Sequence, residues 1–171
     1  MQESTKSKIK LISESYQLEK EKQDESGKKK MVKENEFLKE FGIILDKTIK
    51  PTLIDISNEL KEAGHETNIT SSGNNEDSIS ISLYLVPKET EPNNSTNGGK
   101  PYIKFATDKK NEKVIIFKNN MLRYAGGSSG AMGQYVLQDI NSAFVEQNVL
   151  IFIDEVFENA KRALKIPKLN D

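Results

Sequence analysis

Residues 78–86 read SISISLYLV, and their alternation decides the fold class. Ile79, Ile81, Leu83 and Leu85 point to one side, and Ser78, Ser80, Ser82 and Tyr84 to the other, because successive side chains of a strand alternate. One dry face and one wet face mark an antiparallel sheet covered on a single side. A strand of a parallel sheet, buried on both faces, would be apolar throughout. Pro87 ends the run, since it has no N–H to give to a ladder.

Downstream, the polar stretch 88–100 (KETEPNNSTNGGK) reads as a loop. Strands follow at about 101–107 and 112–118, joined by a turn that starts at Asp108. In the second, Val114 and Ile116 face one way, and Ile115 and Phe117 the other. This fits a central strand or an edge covered on both faces. Upstream, 71–77 is turn-rich and 66–70 reads as a short edge strand. The expected sheet is an antiparallel meander of three or four strands.

Residues 119–134, NNMLRYAGGSSGAMGQ, come after what reads as the last strand. Gly126, Gly127, Gly130 and Gly133 release the backbone from the usual steric limits, so this stretch reads as a hinge-like crossing into the final helix. That helix is expected at about 141–164, capped by Asp139 or Asn141. Val145, Val149, Phe152, Val156 and Ala160 form its main stripe. Leu150, Ile151 and Ile153 widen it, which predicts burial on more than one side. Pro167 stops the chain's last turn.

Ahead of the sheet, 32–64 reads as a long helix. Val32, Phe37, Phe41, Ile44, Leu45, Thr48 and Ile49 recur at three- and four-residue spacing, and Leu53, Ile56 and Leu60 resume the stripe. Pro51 predicts a kink or a break near Lys50. Gly64 stands where a helix-closing glycine belongs, with Lys61 in the last turn. Residues 1–31 carry weak helical periodicity: Ile9, Ile12 and Tyr16 on one line, Leu11 and Leu18 on another. This segment is too polar to fold alone, and reads as a frayed tail or a helix in need of a partner. Helices, then strands, then a helix give an α+β protein, with the body at 65–171 packed on its C-terminal helix and a long kinked N-terminal helical arm. There is no internal repeat.

Composition narrows the chemistry. The 171 residues are 35% apolar and 30% charged, with a net charge of -1, which gives no global argument for nucleic acid or an anionic membrane. Cysteine is absent, so disulfides, thiol nucleophiles and thiolate metal sites are excluded, and a cytoplasmic location is expected. No apolar run approaches the roughly 18 residues of a membrane span, and the N-terminus lacks the apolar core of a secretory signal. Without an export signal, the Asn68 and Asn94 sequons read as coincidence. With a single histidine, His65, no catalytic triad or two-histidine metal site can be built within one chain. His65 reads as part of the helix C-terminus, where a partly positive ring is favoured.

Four places carry possible function. The first is the glycine segment: Arg123, Tyr124, Gly126, Gly127, Ser128, Ser129, Gly130 and Gly133. Its glycine spacing is superficially that of a phosphate loop. However, no strand follows its helix, as a dinucleotide fold requires, and Gly133-Gln134 lacks the Lys-Ser/Thr of a Walker loop. Generic anion binding by backbone N–H groups or contact with a partner remain. The second is the wet sheet face, where Tyr84, Tyr102 and Lys104 could stack bases or meet a helix or a second subunit. The third is the carboxylate set Asp154, Glu155 and Glu158, with a solvated stripe as the plain reading against a hard-cation site. The fourth is Lys28–Lys33, a mixed-charge linker or a phosphate contact. No catalytic residue, metal or cofactor is expected. The expectation is a non-enzymatic protein that forms a homo-oligomer through its N-terminal helices, as a coiled coil, and binds a protein partner. A phosphoanion-binding or hydrolytic module is the alternative, and nucleic-acid binding the second alternative.

Overall fold

The computed structural model describes residues 3–73, 78–92 and 99–165, with side chains from Lys8 onward except Ile9. The turn at 71–77, the loop at 88–100, the Asn94 sequon and the stop at Pro167 fall partly or wholly outside these residues. The chain divides into two compact units, Met1–Glu36 and Phe37–Asp171.

Helix α1 spans Glu3–Ile44, and the N-terminal unit is formed from its first part. That part is polar, with nine lysines against eight carboxylates up to Glu36. Among the described residues, its large apolar side chains Leu11, Ile12, Tyr16, Leu18, Met31 and Val32 are exposed.

The second unit opens with the end of α1. A π-helical turn at Leu45–Ile49 leads into α2, Lys50–Glu62. The backbone does not break near Lys50. Pro51 has no N–H, and its ring crowds the carbonyl four residues back. A one-residue π insertion shifts the bonding there, so that the Lys50 N–H reaches the Leu45 carbonyl. The Thr52 hydroxyl donates to the Thr48 carbonyl at 2.8 Å. Gly64 (φ 87°) closes α2, as its position predicts, and the His65 N–H returns to the Leu60 carbonyl.

Five strands follow, one more than the most that the alternation predicts: β1 Glu66–Ser72, β2 Ser80–Val86, β3 Tyr102–Asp108, β4 Lys113–Asn119 and β5 Ser129–Tyr135. They form an antiparallel meander in sequence order. The extra strand lies inside the glycine segment. Its small side chains give no alternation to read, yet its backbone pairs with β4 from Val114–Tyr135 to Asn119–Ser129, with a bulge at Ile116/Phe117. The segment is therefore an edge strand and its turn, not a hinge, and β4 is central. A 3-10 turn, Leu137–Asp139, leads to α3, Ser142–Leu164, whose N-cap Asn141 accepts from the Phe144 N–H at 2.9 Å.

The core lies on one face of the sheet. Ile81, Leu83, Leu85, Ile103, Phe105, Val114 and Ile116 are fully buried there. Val145, Val149, Phe152 and Val156 of α3 meet them, as do Phe41, Ile49 and Leu53. The sheet thus packs on two helical segments rather than on the C-terminal helix alone. Ser57 of α2 and Thr67 of β1 share a hydrogen bond at 2.6 Å. Helix α3 is buried on one side only: Leu150 and Ile151 are exposed, which corrects the expectation of burial on more than one side.

Candidate functional site

Asn119, Asn120 and Met121 leave β4, and the chain turns at Arg123–Ala125 before returning as β5. The turn is tight. The Leu122 N–H reaches the Gly126 carbonyl, and the Ala125 N–H the Leu122 carbonyl. Leu122 is fully buried, which anchors the turn in the core. Tyr124 sits at φ 69°, a left-handed conformation that a bulky residue adopts only under constraint. The residue is 56% exposed, and the Arg123 guanidinium lies 4.7 Å from its ring centroid. Arg123 also pairs with Glu91 at 2.7 Å, and its N–H bonds the Glu91 carbonyl.

Beneath this tip, a polar network ties the turn to α3. Asn120 is its centre. Its Oδ1 accepts the Ser128 N–H at 2.6 Å, and its Nδ2 donates to Glu155 Oε2 at 2.6 Å. Its backbone carbonyl accepts from Asn159 Nδ2 at 2.9 Å. The Lys118 ammonium donates to both oxygens of Glu155. Asn119 Oδ1 holds the Met121 N–H at 3.2 Å. Gly127 (φ 142°) is required here, because a Cβ would stand 2.6 Å from Asn120 Oδ1 and 2.8 Å from the Met121 Cα. Beside the network lies a cleft of about 480 Å³ lined by Asn120, Gly127, Ser128, Asp154, Glu155, Glu158, Asn159 and Arg162. On its rim Lys161 donates to Glu158 at 2.6 Å, which holds the Glu158 carboxyl below the usual carboxylate range and the Lys161 ammonium above its own.

The residues singled out in the sequence therefore separate. Gly127 and Ser128 join Asp154, Glu155 and Glu158 at the cleft. Arg123 and Tyr124 form the tip. Ser129, Gly130 and Gly133 belong to β5, where a Cβ on Gly133 would meet the Tyr135 hydroxyl at 2.5 Å. Tyr84 and Tyr102 face each other on the open side of the sheet, with ring centroids 5.8 Å apart. Lys104 shares that side and stands between Ser82 and Phe117. Ser80 and Ser82, expected on the wet side, are buried, and the Ser80 hydroxyl shares a hydrogen bond with that of Ser72 at 2.7 Å. Lys28, Lys29, Lys30 and Lys33 are exposed on α1.

His65 follows the glycine that closes α2. Its Nδ1 accepts the Lys88 N–H at 3.0 Å, and its ring meets Phe157 edge-on at 4.8 Å. The Asn119–Asn120–Asn159 set escaped sequence reading. The signals available were an Asn-Asn pair at a strand end and an asparagine on the apolar stripe of α3. Among the described residues, no three histidine, cysteine or carboxylate side chains come together to hold a metal ion, and no helix is long and apolar enough to cross a membrane. No protein family matches the chain, and no curated protein or solved structure is similar to it.

Proposed function

We propose that this is a non-enzymatic protein that self-associates through its N-terminal helix and presents the Arg123–Tyr124 tip to a protein partner. One observation carries the reading: six large apolar side chains of the N-terminal unit, Leu11 to Val32, are each more than half exposed (56–68%). A helix that is polar over most of its surface and unburied on its apolar stripes gains most of its stability from a partner. At the tip, an exposed aromatic ring on a constrained backbone with a stacked guanidinium is the composition of a contact anchor. Size-exclusion chromatography with light scattering tests the assembly: a strict monomer at micromolar concentration sinks it. For the tip, Tyr124→Ala should abolish capture of whatever partner the wild-type chain retains.

The anion-binding alternative draws less support. The Ser128 N–H is taken by Asn120, and the charge of Arg162 on the adjacent cleft is offset there by Asp154, Glu155 and Glu158, so no cationic cradle is presented. A thermal shift with nucleotides or phosphorylated metabolites that vanishes in Arg123→Ala would restore it. Nucleic-acid binding draws on the Tyr84–Tyr102 pair with Lys104 and on Lys28–Lys33. Salt-dependent retention of an oligonucleotide on a filter would support it, and no retention would remove it.

A further inference from the structure

We infer that the arms of two copies pair antiparallel, with the two-fold axis between Gln23 and Asp24. This rests on the self-association reading above and adds its geometry. Leu11, Ser15, Leu18, Lys22, Glu25, Lys29 and Val32 follow the alternating four- and three-residue spacing that keeps one line of a helix against a neighbour. Leu11, Leu18 and Val32 are its apolar members, and all three are exposed. Lys22, Glu25 and Lys29 lie among them.

Charge selects the direction. In a parallel pair each seam residue meets its own copy, so Lys22, Glu25 and Lys29 each face a like charge. The flanks add Glu14 against Glu19 and Lys28 against Lys33. Like charges abreast at a helix seam oppose association. In the antiparallel pair, Lys22 meets Glu25 of the partner, twice by symmetry, and Glu21 flanks Lys28 of the partner. More broadly, residues 14–25 carry five carboxylates and two lysines, while 26–33 carry four lysines and no carboxylate. The antiparallel arrangement lays each block along the other.

Val32 and Leu18 find cover in the same register, while Leu11 stands opposite Glu36 of the partner. Val32 of the partner stands opposite Ser15, in the gap between Leu11 and Leu18. Leu18 stands opposite Lys29 of the partner, whose methylene stem covers it while the ammonium reaches water. Charged residues on a seam weaken it but specify register, and that is their role here.

The chain has no cysteine, so introduced ones report cleanly. Light scattering on the full wild-type chain comes first; a monomer defeats the self-association reading and this inference together. Given a dimer, the double variant Ser15→Cys/Val32→Cys should oxidise to a covalent dimer, whereas Ser15→Cys alone should not. A covalent dimer from Ser15→Cys alone, or none from the double variant, overturns the antiparallel register and leaves self-association standing. Lys22→Glu should weaken the dimer about tenfold, and Lys22→Glu/Glu25→Lys should restore it. A swap no better than the single change also overturns the register.

Discussion

The two units of this chain share one helix and treat its apolar residues in opposite ways. In Phe37–Asp171, Phe41, Ile49 and Leu53 are fully buried; in Met1–Glu36, Leu11, Tyr16 and Leu18 are more than half exposed. Period does not separate them, since both follow helical spacing. Density does. From Phe37 to Leu60 an apolar side chain returns every turn and makes a broad stripe, whereas 19–30, EKEKQDESGKKK, contains none. Burying a large apolar side chain contributes about 1.5–3 kcal/mol, and ordering a residue costs about 1–2 kcal/mol. The dense stripe therefore recovers far more of the ordering cost per turn than the sparse one.

The contrast between body and arm is largest at Phe152. It is fully buried on α3, against the dry face of the sheet. Phe152→Ala should cost about 3–5 kcal/mol, read as a lower urea midpoint with an unchanged slope. A loss below about 1 kcal/mol would mean that the body is no better packed than the arm. Next comes the polar network. Asn120→Ala strands the Ser128 N–H and removes one donor from Glu155, at a cost of about 1–3 kcal/mol. Gly127→Ala forces a Cβ against Asn120 and Met121 at a left-handed φ and should cost about as much, again about 1–3 kcal/mol. Combining the two should cost less than their sum, because they strike the same contact.

What was legible follows the same division between pattern and pairing. The alternation of 78–86 marks an antiparallel sheet, and the runs on either side mark an α+β chain. Strand β5 was hidden because SGAMGQY has no side-chain alternation, and its strand exists through backbone bonds to β4. The π turn was hidden because Pro51 forbids one hydrogen bond without dictating how the helix compensates. At the site, the glycine segment stands out by composition, but its geometry is set by Asn120 and Asn159, which lie 39 positions apart. A pairing over that distance leaves no mark in local periodicity, whereas the requirement for glycine at 127 does.

On the arm the expected sign of the comparison reverses. Leu18→Ala removes an exposed side chain and puts a good helix former in its place, so the unfolding of the body should change by less than about 0.5 kcal/mol. The dissociation constant of the proposed dimer should nevertheless rise. Light scattering across a dilution series reads the second effect, and urea unfolding at a concentration where the chain is monomeric reads the first. Equal effects on both would place Leu18 with the core residues and erase the distinction between the units.

The smallest expected effect lies on the body, which also has a surface that behaves like the arm. Lys161 and Glu158 form an exposed pair three residues apart on α3, the counterpart of Lys10–Glu14 on α1. The hydrogen bond and charge of Lys161 lower the Glu158 pKa on folding, so over the acidic range the unfolded chain binds more protons. The pair's contribution is thus present above the ordinary carboxylate pKa and is lost as pH falls through the lowered one. Lys161, raised by the same partner, gives the mirror case: its contribution is full below the ordinary lysine pKa and is lost as pH rises through the raised one. Solvent screens both, so stability should barely move. The Glu158 carboxyl carbon, followed by NMR, should still titrate at lower pH in the wild type than in Lys161→Met, and the difference should shrink in molar salt. A salt-independent shift would mean that the carboxylate is held by the cleft rather than by an exposed ion pair, and the boundary between surface and built site would then run through Glu158.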